Sequence, residues 1–542
     1  MMATDDALVV GSGPAGVMAA AALLDQGCRV HLVHVGYDDD VYRARIPDEP
    51  FAKIRETDAN QAHYFLGADM EGVPSGSVRI GSQLTPPRQF TVRNADKYLP
   101  VESNSFEPMQ SLAVGGLGAA WGAAAYTYSN AELQRMGIGE TGFSDQYQQV
   151  ADIIGISAAR DDDTSPDCIG QLARTQPPLE IDSNAEALLD KYARGKRSSR
   201  FKLGRIPLAI LSQDLGARQA NPYFDMDFWS DSRQSIYRPR YTLADLQQRP
   251  GFRCTSGTLA TAFTESIDGV TLHGIRPDEG GQSVTHQAKR LILAAGALNS
   301  ARIVLASRRQ AGVHAPVLCN PYTYMPCILA SRLGRGSRPA RHSMAQLAGL
   351  FAPAEAPDDL VSLQFYSYRS LLAFKLVKEI PLHPWAGLQC VRLLIDSLVI
   401  VGVHHPDSPN PLNWLSVRDA GSGGAWPLVL QYAPSTQLQQ ARASRERAIL
   451  LELAKLGCLG GARLRPGHAS SIHYAGTIPH LEPGSEDRHG LDPQGRLLGT
   501  SSVYVADNAG WNFLPAKGLT LTIMANARRI AAHAAHSLGH AQ

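Results

Sequence analysis

The sequence predicts an α/β fold, α+β overall, in which a parallel-sheet domain is interleaved along the chain with a second, β-sheet-containing domain. Three observations carry that expectation. Ala7–Val10 is a buried-strand run that stops at Gly11-Ser12-Gly13-Pro14-Ala15-Gly16 and gives way to small and apolar residues, Val17 to Asp25, suited to a helix packed hard on a sheet. A second strand–glycine–helix junction follows at AKRLILAAGALNSARIVLAS, residues 288 to 307, and a third buried strand, Val503 to Ala506, runs into Asp507-Asn508. The chain is 542 residues long, too long for one simple core.

The first unit is a Rossmann-like βαβ. Strand, G-x-G-x-x-G and helix in one unit form the dinucleotide fingerprint, with Gly11 at the tight turn, Gly13 beside a pyrophosphate and Gly16 where helix meets strand. The helix N-terminus offers its free N–H groups to the phosphates. Arg29 to Val35 reads as the next strand. Its end calls for an Asp or Glu to grip a ribose, yet His34 stands there, with Asp38, Asp39 and Asp40 outside the strand. An imidazole offers a ribose one hydrogen bond, not a bidentate grip.

Composition narrows the function classes. Lys plus Arg is 51 and Asp plus Glu 50, so no strong field favours nucleic acid or an anionic membrane surface. The seven cysteines form no C-x-x-C, which argues against a zinc site or disulfide framework and fits a reducing compartment. No metal site is expected. The first strand starts close to Met1, leaving no room for a signal peptide. The most apolar run, Leu393 to Val403, is too short to span a membrane and contains Asp396. A cytoplasmic enzyme is the expectation.

Along the chain, 37–100 reads as loops and short elements covering the nucleotide site. Ser111 to Tyr128, SLAVGGLGAAWGAAAYTY, would let backbone lie close to something flat. Ser129 to Ile156 reads as helical, with Ser144 as an N-cap. The aromatic run Tyr223 to Trp229 reads as ordinary core. Leu259 to Thr264 and Val270 to Ile275 read as strands, Gln437 to Leu456 as an amphipathic helix with Arg and Glu on its polar face, and Thr520 to Leu538 as a final helix. His404-His405 reads as strand with one face exposed.

Four segments, in this order, resemble the glucose-methanol-choline (GMC) oxidoreductases: the fingerprint, Val114-Gly115-Gly116 with Trp121, AAGALNSARIVLAS, and the closing HYAGT…VYVADNAGWNFLPAKGLTLTIMANARRIA. VGGLGAAW is nearest to the pyranose-oxidase type. The resemblance implies an FAD domain from 1–36, 101–130, 251–312 and 463–542, and a substrate domain from 131–250 and 313–462. Some members of that type link FAD through a histidine before the tryptophan; Ala120 stands there, implying non-covalent FAD. The resemblance places Gly11, Gly13, Pro14 and Ala15 at the pyrophosphate, with Gly16 closing helix on strand behind them, Ala260 at adenine, Ala295 and Gly296 beside the dinucleotide, and Gly115 and Gly116 near the flavin. Asp507, followed by Asn508, would reach the ribityl or pyrophosphate region, and Gly518 and Leu519, opening the last helix, the flavin's N1 edge.

His473 matches the family's catalytic base. The family's second His or Asn is absent, because Gly518 occupies that place after Lys517. Lys517 is then a candidate for polarising the hydroxyl, as are His404, His405 and Asn512. The implied activity is oxidation of a CH–OH group in a sugar-like or hydroxylated small molecule, with the electron acceptor open. A flavoprotein catalysing isomerisation or cyclisation, and a degenerate binding protein, remain as alternatives.

Overall fold

The computed structural model describes residues 5–71, 84–139, 143–196, 198–335, 341–367, 382–421, 423–481 and 489–539. Residues 72–83 of the expected cover region, 336–340 and 368–381 of the expected substrate domain, and 482–488 of the closing segment lie outside them.

The N-terminal fingerprint builds the centre of the molecule. Asp5–Val10 pairs in parallel with Val30–Val33 on one side and with Gln282–Leu293 on the other. Phe252–Thr255 extends the sheet beyond Val30–Val33. Gln282–Leu293 is long enough to serve two partners. Its first half joins the antiparallel meander Leu259–Ser266, Gly269–Arg276, and its last three residues pair in parallel with Val503–Val505. The strand expected from VYVA therefore lies in the same sheet as Ala7–Val10. Such strands, covered on both faces, read as continuous apolar runs.

The helix Pro14–Asp25 starts with proline at its first turn and carries a run of buried alanines, Ala19 to Ala22. Short side chains let it pack closely on both the sheet and the final helix, Thr520–His536. The final helix is buried from Leu521 through Arg528, so it is a core element.

The second layer is an antiparallel sheet. Among the described residues it orders Cys458–Gly460, Tyr322–Leu329, Leu398–His404, Val361–Tyr366, Leu347–Phe351 and Phe201–Arg205. Thr436–Lys455 and Ser183–Arg194 cover it, burying Ile449, Leu453, Leu188 and Tyr192 against Phe351, Phe365 and Val401.

Several expectations need correction. The stretch 131–250 does not pack as one substrate domain. Phe143, Tyr147, Leu208, Phe228, Trp229 and Leu243 share the core of the first helix and the final helix, while Ser183–Arg194 and Phe201–Arg205 go with the antiparallel sheet. Trp414–Val417 and Leu428–Gln431, from 313–462, likewise pack on the nucleotide-side core. The helical stretch after Tyr128 is two helices. Asn130–Arg135 is closed by a capping box between Ser129 and Glu132, and Ser144 sits inside the second, Phe143–Ile154, instead of capping it. On Thr436–Lys455, Glu446 is fully buried rather than on a solvated face, held by Thr323, Arg442 and Arg465.

Candidate active site

A cavity of about 330 Å³ runs between the two layers. At one end it is walled by the loops after the parallel strands, and at the other by the antiparallel sheet. Of the cofactor-facing residues expected from the sequence, all line it except Gly16 and Gly115, which support its wall from behind.

The nucleotide end is made of backbone. Gly11 has φ +102, and a Cβ built on Gly16 would stand 1.8 Å from the Gly11 carbonyl oxygen, so the turn closes only on glycine at both places. Ser12 Oγ accepts from Gly115 N at 3.2 Å, tying the fingerprint to the VGG loop. It also lies 2.7 Å from His34 Nδ1, while His34 Nε2 lies 3.0 Å from Ser256 Oγ. Both ring nitrogens of His34 are thus engaged by serines, and burial pushes its imidazole down to about 4, so it is neutral. The hydrogen bond expected of His34 towards a ribose is already spent within the protein.

At the second junction Asp507 accepts from Gly296 N at 2.9 Å and Ser300 Oγ at 2.5 Å, and from Ala509 N at 3.0 Å. Burial pushes its carboxyl up to about 6 against those bonds. Asn508 is anchored by donating to the Tyr474 carbonyl. The strand pairing slips between Ala260 and Ala262, which turns backbone at Ala260 towards the cavity. Gly518, Leu519 and Thr520 line the cavity where the 17-residue final helix begins, so its amide end opens there.

The other end is made of side chains. Tyr322, Tyr324, Gln364, Tyr366 and His404 reach it from the antiparallel sheet, Trp121 from the VGG loop and His473 from the closing segment. His473 is held by Asn320, whose Oδ1 lies 2.9 Å from its Nδ1. The amide orientation is not arbitrary. Asn320 Nδ2 donates to the carbonyls of His405, Leu514 and Pro515 at 2.8, 3.4 and 3.1 Å, so only Oδ1 can face the ring. The Nδ1 atom therefore carries the proton and Nε2 keeps its lone pair. Burial pushes His473 down to about 4, leaving it a neutral acceptor over the working pH range.

Lys517 is corrected. Its ammonium makes an ion pair with Glu132 Oε2 at 2.8 Å and donates to the carbonyls of Thr127 at 2.9 Å and Asp167 at 2.7 Å, below the cavity floor. It is 1 % exposed and does not line the cavity. Asn512 is also turned away, donating to the His480 carbonyl at 2.8 Å. The exposed face expected for His404-His405 does not exist, since both are buried. Successive strand residues point to opposite faces. His404 goes to the cavity and His405 to the Glu446 cluster, 3.6 Å from Oε1. Asn320, Tyr322, Tyr324, Gln364 and Tyr366 were not legible as site residues, because each sits in an ordinary strand or turn with no motif.

The described residues hold no group of three or more His, Cys, Asp or Glu arranged to bind a metal, and no described helix is long and apolar enough to cross a membrane. No family model matches this sequence, and no curated protein matches it. Among solved structures, pyridoxine 4-oxidase from Mesorbium loti is similar with a TM-score of 0.56 and 14% identity, over 99% of this chain and 100% of that one. What the two chains share at that identity is the fold, a Rossmann-like domain combined with a second domain.

Proposed function

We propose that the chain is an FAD-dependent oxidoreductase of the GMC type that oxidises a CH–OH group of a neutral small molecule. The observation that carries this reading is His473, which lines the cavity and has its Nδ1–H fixed on Asn320, so that Nε2 keeps a lone pair.

The residues fit FAD. The fingerprint turn has no space for a Cβ at Gly11 or Gly16, and the first helix begins at Pro14 with the free amide of Ala15 beside the cavity. Ala120 offers no side chain for a covalent link, so the flavin is held non-covalently. When bound, FAD supplies the hydride acceptor. His473 Nε2 takes the hydroxyl proton, at no cost for first losing one of its own. The N-terminus of Thr520–His536 favours negative charge at its end of the cavity by about 0.3–1 kcal/mol, and more where water is excluded.

The walls around His473 argue for an uncharged substrate. Trp121, Tyr322, Tyr324, Tyr366, Gln364 and His404 include no Lys, Arg, Asp or Glu among the described residues, and a charged substrate group would lose its hydration without a partner. A sugar-like or aromatic alcohol suits the tyrosine faces.

The test is the visible spectrum. The purified protein is expected to be yellow with one FAD per chain, all released by acid precipitation. Anaerobic addition of benzyl alcohol, glucose or pyridoxine (the substrate in the neighbour's name) is expected to bleach it with at least one. His473→Ala should slow that bleaching by about a hundredfold or more while keeping the flavin. A colourless protein, or bleaching unimpaired in His473→Ala, would refute the reading.

A further inference from the structure

Oxidation of an alcohol by one base leaves the substrate oxygen with no hydrogen-bond donor but the proton it has just given up, as it gains negative character. The position before the final helix cannot supply that donor. A Cβ on Gly518 would meet the Tyr126 ring at 3.0 Å and the Ala124 carbonyl at 3.1 Å, so Tyr126 already fills the space a side chain would need. Lys517 points below the floor.

A different element brings a second imidazole to the base. His404 ends the strand Leu398–His404, lines the cavity, and stacks on His473 with ring centroids 5.1 Å apart and planes at 18°. Tyr322 covers its ring as well, at 4.3 Å and 33°, which fixes the rotamer. The Nδ1 atom of His404 is buried with no hydrogen-bond partner. A buried orphan N–H is costlier than a buried orphan acceptor, so Nδ1 is the unprotonated nitrogen and Nε2 carries the hydrogen. The two rings are therefore opposite in role. His473 presents a lone pair and His404 an N–H, which is the set an alcohol requires: its O–H donates to one while its oxygen accepts from the other.

We infer that His404 is a catalytic residue, the hydroxyl-binding donor that replaces the missing side chain at Gly518. This rests on the proposed alcohol oxidation. The O–H proton passes to His473 Nε2, the C–H hydrogen leaves with its electron pair to the flavin, and the carbon becomes a carbonyl. His404 keeps its proton throughout and contributes a hydrogen bond that strengthens as the oxygen becomes anionic. Burial and the two neighbouring histidines hold its imidazole well below the usual range, so it stays neutral.

The experiment uses the FAD-loaded protein and 2,2,2-trifluoroethanol, an alcohol that gives up hydride poorly, with binding followed by the change in flavin absorption. His404→Leu should weaken binding by about tenfold, the scale of one good hydrogen bond in a water-poor site. His404→Asn, which keeps a donor, should stay within about threefold of the native protein. With any alcohol that bleaches the native flavin, His404→Leu should also lower the limiting rate of reduction. A crystal structure of the native protein with trifluoroethanol should place its oxygen within hydrogen-bond distance of both rings. Equal binding by His404→Leu, no binding by the native protein, or an oxygen remote from His404 would each overturn the inference. If trifluoroethanol binds as expected but no alcohol reduces the flavin, the oxidation is wrong while the donor site stands.

Discussion

The two ends of the cavity are built from opposite materials. At the end beside the Gly11–Gly16 turn the groups on offer are mainly backbone amides, in a turn that closes only on glycine at Gly11 and Gly16. Around His473 they are side chains, delivered by strands far apart in sequence and held by hydrogen bonds to other side chains. The first kind of wall has no space for a methyl group at Gly11 or Gly16. The second tolerates reshaping but depends on which atom carries a proton.

That contrast can be broken experimentally. The largest effect is expected for Gly16→Ala, because its Cβ would fall 1.8 Å from the Gly11 carbonyl oxygen. The turn must open, and the variant should purify without flavin or not fold; normal FAD content would show that the wall is softer than described. Lys517→Met is expected to act on stability alone. It strands the Glu132 carboxylate in a buried site, at a cost of about 3–5 kcal/mol in denaturant unfolding. Its rate of flavin reduction should remain near that of the native protein, and a loss comparable with His473→Ala would return Lys517 to the chemistry.

The most distributed effect is that of pH. Burial holds His34, His405, His473 and His480 down to about 4, against 6.5 for an ordinary histidine. Above 6.5 neither state binds these protons. As pH falls towards about 4 the unfolded chain binds them and the folded protein does not, so stability is lost across that window. The melting temperature should therefore be flat above pH 6.5 and fall steeply below it, with a shallower fall in His34→Gln. A melting temperature independent of pH between 6.5 and 4 would contradict the neutral, buried rings.

The same contrast explains what could be read in advance. The Gly11–Gly16 fingerprint, the Ala295-Gly296 junction and the buried strand before Asp507 are local signals, since the strand, the turn and the helix all lie in one window of sequence. His473 was legible through HYAGT. Asn320 was not, because its role arises only when His405, His473, Leu514 and Pro515 meet in space. His404 was visible as a histidine, but its weight depends on the register that sets Tyr322 opposite it. The second sheet was expected, but its strand pairing was not: Leu347–Phe351 pairs with Phe201–Arg205 across more than a quarter of the chain. Glu446 looked solvated because helical periodicity does not reveal that Arg442, Arg465 and Thr323 converge on it. Ser129 was a missed signal, since S-x-x-E stands plainly in the sequence.

Asn320 links chemistry to assembly. Its amide nitrogen grips one carbonyl beyond the end of an antiparallel strand, at His405, and two in the loop that leads to the final helix, at Leu514 and Pro515. The side chain that sets the tautomer of the base is thus also a rivet between the two layers. Should they part slightly, the amide is free to turn over, and its NH2 would then meet Nδ1 and reverse which nitrogen is protonated. On the proposed mechanism His473 accepts a proton only while Asn320 holds its Nδ1–H, so the chemistry requires the two layers to be seated.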